Sequence, residues 1–166
     1  DMRKSLAIYL QSLSDTKITE KEIFVTNGVT GALSLLMSVL GKTGLTVFAE
    51  DPTYFIALNI FKDFKMNTKP VPIQSDGLDI DNLEKQLKTI PKTERCFLYT
   101  IPIHNNPTGY SMSEKKRTQL MSLLDKYSNL VVIADEVYQH LSFDESNRYL
   151  PFADSHENCI SVGSFS

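Results

Sequence analysis

Asp135 and Tyr138 are the residues whose positions most strongly indicate chemistry. Asp135 follows Val131-Val132-Ile133-Ala134, a run of small and β-branched apolar residues that predicts a strand buried on both faces. In an open parallel sheet, ligands bind beyond the carboxyl ends of the strands. A carboxylate there is poorly solvated and needs a partner, which would be a cation, a metal or a protonated ring nitrogen. The alternative is that Asp135 caps the turn that begins at Glu136.

Gly28 marks a second candidate site, between a predicted strand at 23–26 and a predicted helix at 29–40. The first N–H groups of a helix have no partner within it and suit a phosphate, and the Thr30 hydroxyl is a further donor. A turn without a ligand is the alternative. The chain has neither the Gly-x-Gly-x-x-Gly fingerprint nor a Walker-type lysine, which argues against a dinucleotide and a nucleoside triphosphate.

Tyr54 and Asn106 follow two further predicted strands. Tyr54 comes after Asp51-Pro52-Thr53, where its ring either covers a planar ligand or begins the next helix. Asn106 precedes Pro107. Its amide either donates to an oxygen of a ring-shaped ligand or opens a turn.

Other kinds of site are not supported by the sequence. His104, His140 and His156 show no paired spacing for a metal, and no Gly-x-Ser-x-Gly elbow indicates a hydrolase. The net charge of −3 and the absence of a long Lys/Arg run give no reason to expect nucleic-acid binding. No run approaches the ~18 apolar residues of a membrane span.

The elements that position these residues alternate between strand and helix along the 166 residues. This alternation predicts one α/β domain over 1–166, with a mostly parallel sheet between two layers of helices. The predicted strands are 23–26, 46–49, 96–101, 130–134 and 159–162, with an extended segment at 69–73. Because Pro70 and Pro72 cannot donate to a ladder, we expect that segment at the margin of the sheet.

The predicted helices differ in how much apolar surface they carry. The opening helix has one apolar face, formed by Met2, Leu6, Leu10 and Leu13, whereas 29–40 is apolar nearly all round and predicts a buried helix. The remaining helices are 54–64, with Phe55, Leu58 and Phe61 facing inward, one carrying Leu83, Leu87 and Ile90, and one carrying Leu120, Leu123, Leu124 and Tyr127.

Several smaller features complete the prediction. Asp79 or Asp81 caps the fourth helix, and Ser111 with Glu114 has capping-box spacing for the fifth, with Ser113 as a competing cap. Residues 142–157 are polar and turn-rich, which is typical of a surface loop.

Cys96 and Cys159 lie in predicted strands, which favours buried reduced thiols and a reducing, cytoplasmic compartment. The chain runs from Asp1 straight into a helix, so we expect no cleavable signal and interpret the start as processed or internal.

Five segments together resemble one family, the fold-type I pyridoxal-phosphate-dependent aminotransferases of classes I and II. They match its large domain in order, over nearly the whole chain. The segments are Thr26-Asn27-Gly28-Val29-Thr30-Gly31-Ala32-Leu33, Glu50-Asp51-Pro52-Thr53-Tyr54, Asn106-Pro107-Thr108-Gly109, Ala134-Asp135-Glu136-Val137-Tyr138 and Ser164-Phe165-Ser166.

The resemblance implies a pyridoxal 5'-phosphate site with a role for each matched residue. Tyr54 would stack on the pyridine ring, and Asn106 and Tyr138 would hydrogen-bond its phenolic oxygen. Asp135 would pair with the protonated ring nitrogen. The residues implied in holding the phosphate are the backbone of Gly28, Val29 and Thr30 and the hydroxyl of Ser164.

The resemblance also implies what the 166 residues do not include. The family's Schiff-base lysine, its nucleophile and general acid–base, would follow Ser166, so no catalytic residue is assigned within the chain. The N-terminal arm, the small domain and the arginine that binds the substrate carboxylate are also absent. We therefore expect this part alone to be inactive.

The implied activity is transfer of an amino group from an amino acid to a 2-oxo acid by a ping-pong mechanism, in a homodimer. The segments after Glu50 and after Tyr138 most resemble the broad-specificity branch, which includes 2-aminoadipate, aromatic and branched-chain aminotransferases. Two alternatives share the scaffold: a lyase or decarboxylase, and a non-catalytic effector domain of a transcriptional regulator. A plain nucleotide-binding α/β domain is disfavoured by the missing glycine fingerprint.

Overall fold

Six strands form one sheet at the centre of the computed structural model, which describes residues 1–14, 16–141 and 150–165. The strand order is β3-β2-β1-β4-β5-β6, and all neighbours are parallel except β2 and β3. The strands are β1 (Thr46–Asp51), β2 (Asn67–Gln74), β3 (Gly77–Leu78), β4 (Cys96–Thr100), β5 (Leu130–Asp135) and β6 (Cys159–Val162).

Five α-helices and one short 3-10 helix accompany the described strands. They are α1 (Met2–Leu13), α2 (Gly28–Leu40), α3 (Phe55–Asp63), α4 (Ile80–Leu87), α5 (Glu114–Lys126) and the 3-10 helix at Phe152–Asp154. Among the described residues, none of the helices combines the length and apolar character that a bilayer crossing requires.

The sheet separates two apolar cores, because successive side chains of a strand point to opposite faces. On one face, Phe48 and Leu98 pack with residues of α4 and α5, such as Leu83 and Leu120. On the other face, alternate strand residues pack with residues of α2 and α3; this core includes Val47, Phe97, Ile133, Leu33, Met37 and Phe61. The predicted three-layer α/β/α architecture is therefore confirmed.

The margin of the sheet agrees with the positions of the prolines. β2 is flanked on its outer side only by the two-residue β3, which pairs with Ile73 and Gln74. Pro70 lies outside that short pairing, where a missing ladder donor costs little. Both cysteines are buried and free, as expected, and burial raises each thiol pKa to about 12.

The predicted strand at 23–26 is wrong, because none of the strand pairings includes it. Phe24 is largely exposed and lines an open groove of about 430 Å³, together with Leu35 and Val39 of α2. The expectation that α2 is buried nearly all round is therefore wrong for the side of the helix that faces this groove, where Leu35 and Val39 are exposed. A β-rich run becomes a strand only when a neighbouring strand supplies hydrogen-bond partners, and among the described residues 23–26 has none.

Details of several helices also differ from prediction. Phe55 is 67% exposed instead of facing inward, because it is the first residue of α3 and projects from the helix start. Ser113, not Ser111, caps α5 by accepting from the Lys116 N–H. Ser111 instead accepts from the His104 N–H at 3.0 Å.

Two further expectations hold only in part. α1 forms as predicted, but of its apolar face Met2 is exposed and Leu6, Leu10 and Leu13 are only partly buried, and Ala7 is the one fully buried residue of the helix. The expected surface loop at 142–157 lies outside the described residues over 142–149. In the remainder, Phe152 is buried and its ring lies 4.4 Å from the Arg117 guanidinium carbon.

Candidate functional site

A cavity of about 310 Å³ lies where β1, β4 and β5 end and α2 begins. Its volume falls at the small end of the range for small-molecule sites. Seven of the eight residues predicted to bind a ligand line it, and Thr30 does not. The lining is formed by Gly28, Val29, Tyr54, Ile101, Asn106, Asp135, Val137, Tyr138, Leu141 and Ser164.

Asp135 supplies the buried carboxylate of this cavity. It is the last residue of β5 and is 3% exposed. The Tyr99 hydroxyl donates to Oδ2 at 2.7 Å, whereas Oδ1 has no hydrogen-bond partner of ordinary geometry among the described residues. A buried acceptor without a donor is costly. Asp135 thus presents a buried, unsatisfied oxygen at a site that opens to the cavity.

The charge of Asp135 depends on opposing effects. Burial raises the pKa of this carboxyl, while the Tyr99 hydroxyl and the Val137 backbone N–H lower it. The Tyr99 pKa lies far above its usual range, because of burial and the adjacent carboxylate, so Tyr99 keeps its proton and acts as the donor. A cation or a protonated ring nitrogen near Oδ1 would favour the ionised form further. The contact with the Val137 N–H corresponds to part of the alternative role for Asp135, which was to cap the turn that begins at Glu136.

The start of α2 is shaped to leave backbone donors available. The Gly28 N–H donates to the Thr26 carbonyl at 2.9 Å. Asn27, the N-cap, makes no side-chain cap hydrogen bond, so the N–H groups that follow Gly28 in the helix keep their capacity for an anion. Gly28 has a φ of 69°, in the region where residues with a Cβ are strained. A Cβ added at Gly28 would meet nothing within 4 Å, so its backbone geometry, not crowding, requires glycine. Thr30 is exposed.

The remaining predicted residues approach from four segments, each of which follows a different strand. Tyr54 is the N-cap of α3 and packs edge-on against Phe55, with ring centroids 5.7 Å apart. Asn106 follows β4 and Tyr138 lies in the turn after β5. Ser164 lies just beyond β6, and Ser166 of the same motif is outside the described residues.

Sequence reasoning missed Tyr99 and Glu50. The signal for Glu50 was the one used for Asp135, an acid at the end of an apolar strand. Glu50 is 3% exposed and accepts hydrogen bonds from Thr100 Oγ1 at 2.6 Å, the Ile101 N–H at 2.9 Å and Asn105 Nδ2 at 2.8 Å. Burial raises its pKa to about 7, against the lowering effect of these donors. Tyr99 could have been suspected because a tyrosine hydroxyl in a buried apolar strand usually needs a hydrogen-bond partner.

The donor set suits an organic ligand better than a metal. Among the described residues, no group of three His, Cys, Asp or Glu side chains could hold a metal ion. The cavity instead combines one carboxylate, one helix start and the ring of Tyr54. This combination suits a planar ligand with a phosphate and a basic ring nitrogen.

The model of the aminotransferase class I and II family matches residues 1–166, the whole chain. The chain belongs to this family. Members depend on pyridoxal phosphate, and the observed cavity fits that cofactor. Within the described ranges, Oδ1 of Asp135 has no hydrogen-bond partner of ordinary geometry and Asn27 makes no side-chain cap at the α2 start.

Relatives of known sequence include both enzymes and regulators. The chain is 30% identical to aromatic-amino-acid aminotransferase 1 of Thermococcus litoralis, over 99% of this chain and 40% of the relative. It is 29% identical to an uncharacterized HTH-type transcriptional regulator of Bacillus subtilis, over 99% of this chain and 33% of the relative. The chain therefore spans about 40% or less of the length of these relatives.

A solved structure supports the fold. The α-aminoadipate aminotransferase of Thermus thermophilus, complexed with N-(5'-phosphopyridoxyl)-L-leucine, superposes with a TM-score of 0.85 at 30% identity. The match covers 99% of this aminotransferase-family chain and 41% of that structure.

Proposed function

We propose that the full-length protein is a pyridoxal-phosphate-dependent aminotransferase that passes an amino group from an amino acid to a 2-oxo acid in a ping-pong cycle. The observation that carries this proposal is the unsatisfied Oδ1 of Asp135, buried at a cavity that the α2 start also lines. That pair of features suits a ligand with a protonated ring nitrogen at one end and a phosphate at the other.

Each residue has a part in this proposal. Pyridoxal phosphate supplies an electron sink when bound, and the sink is deeper when its ring nitrogen is protonated. Asp135 holds that proton in place through a charge-assisted hydrogen bond. Tyr54 packs against the ring, and Asn106 and Tyr138 donate to the ring's phenolic oxygen.

The phosphate end has its own contacts. The backbone N–H groups of Val29 and Thr30 at the α2 start, and the Ser164 hydroxyl, bind the phosphate. The Gly28 N–H donates to the Thr26 carbonyl, so Gly28 contributes by letting the backbone approach the phosphate closely. Thr30 contributes through its backbone N–H, which is compatible with its side chain being outside the cavity lining.

The proton-transfer residue belongs to the full-length protein. We propose that the family's lysine follows Ser166 and acts as nucleophile and general acid–base. A carboxylate-binding arginine and a small domain would also come from outside these 166 residues. The residues described here therefore hold and tune the cofactor, and the isolated chain does not transaminate.

Spectroscopy of the full-length protein tests the activity. Pyridoxal phosphate is added, bound cofactor is detected by its absorbance, and single amino acids are then supplied without a 2-oxo acid. Conversion of the cofactor to its pyridoxamine form supports transamination. Release of carbon dioxide or of an eliminated group would instead indicate a decarboxylase or lyase, and absence of cofactor binding would contradict the proposal altogether.

A second candidate function is the effector domain of a transcriptional regulator, because the Bacillus subtilis relative matches 99% of this chain. In that case the domain binds pyridoxal phosphate to control an attached DNA-binding region. A winged-helix segment upstream of Asp1, together with DNA binding that responds to the cofactor and no turnover of amino acids, would favour the regulator.

The finer biological setting is also a proposal. We infer a homodimeric, cytoplasmic protein of amino-acid metabolism, including biosynthetic steps. The buried, reduced thiols of Cys96 and Cys159 support a reducing compartment. Light scattering of the full-length protein tests the dimer.

A further inference from the structure

Glu50 joins two segments that lead to the cavity. β1 and β4 are paired in register as far as Ala49 and Tyr99. Beyond that pair the carboxylate of Glu50 bridges the strands, accepting from the Thr100 hydroxyl and the Ile101 N–H. Because both donors belong to the end of β4 and its exit, Glu50 fixes where the loop after β4 begins.

The same carboxylate also fixes the middle of that loop. Asn105 Nδ2 donates to Glu50 Oε2 at 2.8 Å, and Asn105 Oδ1 accepts from the Thr108 hydroxyl at 2.9 Å. The Asn105 backbone closes the loop, since its N–H donates to the Tyr110 carbonyl at 2.8 Å and its carbonyl accepts from the Gly109 N–H at 2.6 Å. Asn105 is therefore held from both sides.

Asn106, the next residue, is the one that lines the cavity. Asn106 makes no hydrogen bond within the part of the chain that the structure describes, whereas Asn105 is 1% exposed and its side chain makes several. The placement of Asn106 thus follows from that of Asn105, and hence from Glu50. Supporting contacts of this kind decide how accurately a binding side chain is held.

We propose that Glu50 is a positioning residue that holds Asn106 at the cavity by linking the end of β1 to loop 101–110. Its expected effect on the cofactor rests on the proposed function, but its effect on the loop does not. Glu50 has no direct role in the chemistry, because all three of its hydrogen bonds are to protein groups.

The groups that face Glu50 allow its charge and its position to be separated. Asp135 on β5 is the charged group that acts on it, raising the Glu50 pKa, and the Tyr99 hydroxyl on β4 is the other nearby titratable group. In Glu50→Gln, the amide oxygen can still accept from Ile101 and Asn105, and the amide nitrogen can donate to Thr100. Glu50→Ala removes all three hydrogen bonds.

Hydrogen exchange in the full-length, cofactor-free protein tests the link directly. We expect exchange within 101–110 to be about 10-fold faster or more in Glu50→Ala, and near the wild-type rate in Glu50→Gln. Asn105→Ala provides a milder variant, in case Glu50→Ala does not fold, and should also speed exchange at 108–110. Unchanged exchange in 101–110 in the folded variants would overturn the proposal.

Glu136→Ala is the matched control for exchange. Glu136 is an equally buried carboxylate, but it accepts from the Phe152 N–H on a different segment. Its loss should leave exchange of 101–110 unchanged. If Glu136→Ala loosens 101–110 as much as Glu50→Ala does, the effect is general destabilisation and the proposal fails.

A double-mutant cycle on pyridoxal phosphate affinity tests the connection to Asn106. Glu50→Ala and Asn106→Ala should each weaken affinity by about 10-fold, and the double variant should be no weaker than Asn106→Ala alone. Glu50→Gln should retain affinity close to wild type. Additive losses, or a Glu50→Gln variant as weak as Glu50→Ala, would overturn the positioning role.

The two proposals fail in different ways. If the wild-type protein binds no pyridoxal phosphate, the proposed function is wrong, and exchange in 101–110 still decides the role of Glu50. If the wild type binds the cofactor and Glu50→Ala leaves both exchange and affinity unchanged, the positioning role alone is wrong.

Discussion

Replacing Tyr99 with Phe removes one hydroxyl from the buried contact with Asp135. The hydrogen bond is 2.7 Å long, and Tyr99 and Asp135 are 0% and 3% exposed. Water therefore has little access to replace the lost donor. Hydrogen bonds to charged groups contribute about 1.5–3 kcal/mol, so we expect Tyr99→Phe to lower the free energy of unfolding by about that amount while Asp135 is ionised.

The pH dependence of this loss follows from the pKa of Asp135. Burial already raises that pKa above its usual 3.8, and loss of the Tyr99 donor raises it further. Below 3.8 the carboxyl is protonated in both folded and unfolded states, so the variant loses only a neutral contact. As the pH rises through the folded-state pKa, the ionised form must be buried without its donor, and the cost of the substitution increases to its full value.

Urea unfolding of the cofactor-free, full-length protein at several pH values measures this effect. Tyr127→Phe is the matched control, because the Tyr127 hydroxyl lies 3.4 Å from a partly exposed Glu84 oxygen. That contact is too long to contribute much. The reasoning is refuted if Tyr99→Phe costs no more than Tyr127→Phe, or if its cost is the same at low and neutral pH.

Three further predictions concern residues at the same site. Asp135→Asn should leave pyridoxal phosphate binding measurable in the full-length protein but reduce turnover by about 10- to 100-fold, since a charge-assisted hydrogen bond is lost. Unchanged turnover would refute the pyridinium role. The Glu50 pKa is raised from 4.5 to about 7, so the folded state binds more protons in that window and stability falls as pH rises through it, by on the order of 3 kcal/mol. Glu50→Gln should remove this share of the pH dependence measured by urea unfolding. The share from Glu136, whose pKa burial also raises to about 7, should remain. Gly28→Ala should destabilise the protein by about 1–2 kcal/mol because of the positive φ, whereas Gly31→Ala, within α2, should not, and thermal unfolding compares the two.

Much of the fold could be predicted because two signals agree along the chain: the spacing of apolar residues within each element, and the turn residues that separate the elements. The run Cys96–Thr100 is continuously apolar apart from its last residue and forms a fully buried strand, as expected of a parallel sheet covered on both faces. The site was predictable for a related reason. In a parallel sheet the carboxyl ends of all strands meet at one edge, so residues after separate strands, such as Tyr54 and Asp135, lie around one cavity.

What could not be predicted depends on partners distant in sequence. The segment 23–26 has strand-like residues, but a strand also needs a neighbour. The apolar character of 29–40 predicted complete burial, yet Val39 is 70% exposed. A helix that is apolar nearly all round carries no polar face in its sequence, so the sequence does not show which side faces solvent. The contact of Tyr99 with Asp135 joins residues 36 apart in the chain, and no local sequence pattern predicts it.

Two buried carboxylates, Glu50 on β1 and Asp135 on β5, lie on either side of β4, and their hydrogen bonds distinguish their functions. Glu50 receives three donors from the protein, so it has no need of a ligand. Asp135 receives one good donor, on Oδ2, and the unsatisfied Oδ1 is the atom that gains most from a cationic ligand.

The negative charge of Asp135 raises the Glu50 pKa. A cationic ring bound at Asp135 should therefore lower the Glu50 pKa, and cofactor binding should release protons near neutral pH. Calorimetry in buffers of different ionisation enthalpy would detect that release, and Glu50→Gln should abolish this part of it.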